Sequence, residues 1–135
     1  MPFEVKWLVD SSVTYTRMWG ETTPEEFGVC MRQVAAMMDT SSRKLVHQIF
    51  DSRETTKLPS LREIYAVMPK PAHPQTGWVI SVSEMDMLRR FLSDVLPQMI
   101  GARRRTFKTL EEAVDFLKGI DKSIDWPPTT NAEVA

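Results

Sequence analysis

Residues 44–63 read K-L-V-H-Q-I-F-D-S-R-E-T-T-K-L-P-S-L-R-E, and the fold follows from how this stretch is divided. Its first part, 45–50, has the composition of a buried strand and ends on Asp51 and Ser52. Its second part is a polar loop leading to Ser60, whose hydroxyl caps a new helix while Glu63 reaches back to the Ser60 amide. A strand that ends in a polar loop and feeds a helix is where an α/β domain places its ligands or partners.

Upstream of this stretch, Phe3, Val5, Trp7 and Val9 alternate with Glu4, Lys6 and Leu8, the period of a half-buried strand. Turn residues at 10–12 lead into a second alternating run from Val13 to Trp19, rich in β-branched and aromatic side chains, so the chain opens with a hairpin. T-P-E-E at 23–26 is a helix start: a capping hydroxyl, proline at the first helical position, and a glutamate three residues on. Phe27, Cys30, Met31, Val34 and Met38 then form a core-facing stripe.

Downstream, a short helix is expected at 61–68, followed by a stiff connection containing prolines at 69, 71 and 74. A short strand at 78–82 comes next, then a helix whose stripe is Leu88, Phe91, Leu92, Val95 and Met99, kinked or ended by Pro97. The run 103–108 reads as a last strand with Phe107 turned inward. Thr109 caps a final helix with the stripe Leu110, Ala113, Val114, Leu117 and Ile120. The expected organisation is one α/β domain over 1–120 and a flexible C-terminal tail over 121–135, with Trp126 able to dock back. Strands alternating with helices imply parallel pairing, and right-handed crossovers place successive helices on one face. The expectation is a mixed sheet of about five strands with helices mainly on one face.

Composition narrows the chemistry. A formal charge of −1 gives no global attraction to nucleic acid, which is not expected as a partner. A single cysteine, Cys30, cannot make an intramolecular disulfide, and with no signal peptide or membrane-spanning run in the sequence the expected location is cytoplasmic, without membrane insertion. No phosphate-cradling glycine loop is present among five scattered glycines, His73 lacks a companion at ligand spacing, and no cofactor or metal is expected.

The hairpin, the T-P-E-E helix start, the V-H-Q-I-F-D strand end and the closing R-T-F-K-T-L-E-E-A-V-D-F-L segment together resemble the STAS-like family of small α/β domains, related to bacterial anti-sigma-factor antagonists. The resemblance spans roughly residues 3 to 120. It implies a regulatory module that acts through protein contacts, with Ser52, just after Asp51, at the place where the antagonists carry a phosphorylated serine. This chain departs from that pattern by inserting R-E-T-T-K-L-P before the next helix, where the antagonists continue with a small residue and glycine.

A catalytic triad of His47, Asp51 and Ser52 is excluded by geometry: on a strand, positions 47 and 51 lie roughly 13 Å apart. Cys30 reads as a core residue, and Arg103, Arg104, Arg105 and Lys108 as the chain's basic cluster. The expected function is a non-catalytic interaction or regulatory module, self-associating as a homodimer. Its binding residues would be Asp51, Ser52, Arg53, Lys57 and Ser60, with Ser52 the candidate phosphosite. The alternative is a small apolar-ligand or lipid carrier, with a pocket lined by methionines and Trp78 beneath the 88–99 helix.

Overall fold

The alternating N-terminal segment makes the hairpin that its period requires. In the computed structural model, which describes residues 3–68, 73–83 and 103–127, strand β1 is Phe3–Val9 and β2 is Val13–Glu21, paired antiparallel. The turn between them is closed by the Ser12 amide donating to the Val9 carbonyl (3.0 Å), with Ser11 in the left-handed region. A bulge between Trp7 and Val9 brings the adjacent Leu8 and Val9 into a single core cluster.

Helix α1 (Pro24–Asp39) starts at the expected cap: Thr23 Oγ1 accepts from the Glu26 amide, and Glu26 Oε1 accepts from the Thr23 amide. Strand β3 is Val46–Lys57, helix α2 is Leu61–Val67, and β4 is Thr76–Val82. Strand β5 is Arg103–Phe107, and the last helix, α3, is Leu110–Ile120. The expected stripe at 88–99, its Pro97 kink, and the connection over 69–72 lie outside the described residues.

The five strands lie in sequence order, β1-β2-β3-β4-β5, antiparallel at the hairpin and parallel thereafter. Alternation along each strand then sorts side chains into two cores. Met18, Val46, Phe50 and Val79 face α1, where Cys30, Met31, Val34 and Met38 meet them. Val13, Tyr15, Ile49, Ile80 and Val82 face the other way, against Leu110, Ala113, Val114 and Leu117 of α3. Helices α1 and α2 share one face because each belongs to a crossover between parallel strands of the same hand. Helix α3 follows β5, the last of the described strands, and packs on the opposite face. Ile120, expected in the α3 stripe, is 43% exposed at its final turn. Over 121–127 the chain stays with the domain, since Ile124 is buried in the α3-side core and Trp126 packs against it.

One expectation is corrected. The polar loop expected from Asp51 to Pro59 is for the most part strand, because β3 continues through Lys57 and only residues 58–60 connect it to α2. The continuation is templated by β2, with Glu54 opposite Trp19, Thr55 opposite Gly20, and Lys57 opposite Glu21. Register shifts between Arg17 and Trp19 and between Gly20 and Glu21 mark bulges, and Gly20 takes a positive φ of 66° there. No alternation of apolar side chains announces this half of the strand, since its outer face meets solvent on both sides.

Candidate functional site

Asp51 and Arg53 are two residues apart on β3 and so share a face. That face is the one opposite α1, and Tyr15 stands beside them on β2. The Asp51 carboxylate, buried to 3% exposure, is saturated by four donors. Tyr15 Oη donates to Oδ2 (2.7 Å), and the Arg53 guanidinium makes a fork, Nε to Oδ1 (2.9 Å) and a terminal nitrogen to Oδ2 (2.7 Å). The Arg53 amide adds a bond to Oδ1 at 3.2 Å. Burial alone would push the carboxyl up, but the bonds from Arg53 and Tyr15 outweigh it and hold Asp51 below the ordinary carboxylate range. Burial and the hydrogen bond to Asp51 raise the Tyr15 phenol. The cluster is a closed, ionised network with its charges balanced.

Ser52 points the other way. Its hydroxyl is buried, donates to the Val82 carbonyl at 3.3 Å, and lines a cavity beneath α1 and α2. A phosphoryl group on it would have to be accommodated on that buried side of the sheet. Lys57 stands at the far end of β3 with its ammonium 3.6 Å from Glu21 and its side chain 72% exposed. Ser60 caps α2 as expected, accepting from the Glu63 amide at 3.3 Å while its own amide donates to Glu63 (2.9 Å). The five expected binding residues therefore do not form one cluster: Asp51 and Arg53 meet, Ser52 is on the opposite face, Lys57 is on an exposed ribbon, and Ser60 is a cap.

The ribbon is the most exposed part of this region. Among the described residues, β1 finds its last partner at Met18 and β4 its last at Asp51, and β2 and β3 run on as a pair beyond both. Arg17 and Glu54 bridge it with a two-bond fork (2.7 and 3.0 Å), Glu21 and Lys57 bridge it further on, and the Arg17 guanidinium lies over Trp19.

His47 lies on the same strand but in a separate arrangement. The Trp78 amide donates to its Nδ1 (2.9 Å), so the ring proton sits on Nε2, which donates to Asp121 Oδ2 at 2.8 Å. A side chain at position 77 would meet the ring at 2.5 Å, which is why glycine stands there. Although burial opposes it, hydrogen bonds from Ser123 and His47 bring Asp121 down to about 2. An open groove of about 530 Å³ runs past His47, but with both ring nitrogens engaged the imidazole has no free lone pair to act as a base in it. Cys30 is buried in the α1 core, and burial pushes its thiol up to about 12, so it is no nucleophile.

The sequence reading missed Tyr15 and Asp121 as partners, because each pairing joins residues far apart in the chain. It also took Arg103, Arg104 and Arg105 as one basic patch, and the structure splits them. Arg105 lies over Phe107 and Phe116 on the α3 side, whereas Arg104 stands opposite Val79 and points to the α1 side. Trp78, expected in a carrier pocket, packs edge-on against Phe116, with centroids 5.1 Å apart, on the face away from the α1-side cavity.

Among known proteins, no family model and no curated protein matches the chain. A solved structure does: an uncharacterised protein of the DUF3478 family with a SpoIIAA-like fold, from Shewanella loihica PV-4. It has a TM-score of 0.64 and 12% identity, over 85% of this chain and 93% of that one. The fold of this chain is thus SpoIIAA-like, the STAS-like architecture that the sequence resembles. Among the described residues, no helix is long and apolar enough to cross a membrane.

Proposed function

We propose that the protein is a non-catalytic interaction module of the STAS-like type and that it meets a protein partner through the β2–β3 ribbon. The observation that carries this reading is the ribbon itself, a strand pair running beyond its neighbours with Arg17, Glu21, Glu54 and Lys57 exposed along it. Asp51 and Arg53 serve it from beneath: their fork fixes the strand at the bulge from which the ribbon departs. Non-catalysis is supported among the described residues by His47 being spent on Trp78 and Asp121, and Asp51 on Tyr15 and Arg53. The reading keeps the cytoplasmic location expected from the sequence, and a second copy of the chain counts among the partners the ribbon could meet.

Because Arg53 is committed internally, the test leaves it alone and exchanges the exposed pair, Lys57→Glu with Glu21→Lys. The exchange keeps the pair's attraction and inverts the charge pattern that the ribbon presents. Immobilised protein is used to capture partners from the source cell. The expected result is a partner retained by the native chain and reduced at least tenfold by the exchange, at an unchanged unfolding midpoint. Equal capture by the two proteins would contradict the ribbon as the partner surface.

A further inference from the structure

Three arginines on the sheet or at its rim have an acid beside them: Arg17 has Glu54, Arg53 has Asp51, and Arg43 has Asp121. Arg104 differs. It stands opposite Val79 on β5, and its side chain reaches the α1 side, where it lines a cavity of about 40 Å³ with Met18, Met31, Phe50, Ile64 and Met68. Its Nε is shut off from solvent and has no hydrogen-bond partner among the described residues. Ser52 lines the same cavity, with its hydroxyl already given to the Val82 carbonyl.

We infer that Arg104 and this cavity form a binding site for an aliphatic carboxylate, with the guanidinium taking the head group and the cavity taking the chain. A guanidinium drawn into an apolar wall is unfavourable unless it is paired, no acid pairs with Arg104 among the described residues, and an incoming carboxylate would supply the two acceptor oxygens that match its fork. Desolvation brings Arg104 down to about 10, the direction expected of a cation short of a counter-charge. The walls select the rest of the ligand. A phosphate or nucleotide head would need several further donors, and the cavity is lined almost entirely by methionine, aromatic and aliphatic side chains. At about 40 Å³ it holds only the end of a chain as it stands. Three of its walls are the unbranched side chains of Met18, Met31 and Met68, which repack readily around an occupant of different shape. The site is separate from the ribbon, and the inference does not depend on the partner reading.

The test titrates octanoate into the full chain labelled at its methionine methyl groups, with acetate as a head without a chain and octanol as a chain without a head. Saturable octanoate binding is expected, with shifts at Met18, Met31 and Met68, and with acetate and octanol each at least tenfold weaker. Arg104→Gln is expected to lose at least tenfold in octanoate affinity, and Arg104→Lys, which keeps the charge, to lose less. Octyl phosphate separates the two anionic heads, and tighter binding than octanoate would overturn the carboxylate assignment. The inference is also overturned by no saturable octanoate binding, by octanol binding as tightly as octanoate, or by an Arg104→Gln protein that binds octanoate as the native chain does. Should Arg104→Gln not fold, the octanoate-to-octanol ratio in the native protein decides.

Discussion

Arg53 and Arg104 are both half-buried arginines on strands of one sheet, facing opposite sides, and their electrical situations are opposite. Arg53 is consumed by the fold, forked onto a carboxylate that also holds Tyr15. Arg104 reaches an apolar cavity with its Nε unmatched. A buried ion pair contributes little net stability over an apolar substitute, yet losing one partner is costly because the other is left charged and dry. The comparison therefore separates a network that fixes strand geometry from a cation with no acid beside it among the described residues.

The largest expected effect comes from opening the closed network. Asp51→Ala leaves the Arg53 guanidinium and the Tyr15 hydroxyl without their common acceptor, and the expected loss of stability is roughly 3–5 kcal/mol in urea unfolding. A loss below about 1 kcal/mol would show that solvent replaces the carboxylate freely and that the network is not closed.

A smaller effect is expected at Asp121, the carboxylate that ties the segment after α3 to His47. Its folded-state value of about 2 lies below the ordinary aspartate value of about 3.9. Its contribution is therefore complete above about pH 4 and is lost as pH falls through about 2. With the side chain 20% exposed and partly screened, the contribution is about 1 kcal/mol. In Asp121→Asn the fall in stability between pH 4 and pH 2 should be shallower by that amount, measured by chemical unfolding across the range. A slope identical to that of the native protein would remove Asp121 from the acid response.

How much of this was legible in the sequence depends on how local the chemistry is. The starts of α1, α2 and α3 are written in nearby residues: Thr23 with Glu26 and Ser60 with Glu63 close both bonds of the box, and Thr109 accepts from the Glu112 amide. The hairpin and the inward faces of α1 and α3 follow from period alone. The second half of β3 was hidden because S-R-E-T-T-K carries no apolar alternation and is strand only where β2 templates it. Its signal was faint but present: two adjacent threonines, with charges that complement Arg17 and Glu21 across the pair. Tyr15 with Asp51 and His47 with Asp121 were illegible, being partnerships made by the fold. Arg104 was legible and overlooked. Once 103–108 is read as a strand, alternation places Arg104 on the face opposite Arg103 and Arg105, and no single basic patch survives.

The contrast between the two arginines rests on Arg104 being uncompensated, and one measurement tests that most directly: the unfolding free energy of Arg104→Met without added ligand. An arginine that the fold does not use should be replaceable by an apolar side chain of similar reach at a gain of roughly 1 kcal/mol, because the desolvated charge is removed and the cavity wall is kept. A loss of stability of that size or more would show that Arg104 is held by the fold as Arg53 is, and the account of an unmatched cation would be wrong.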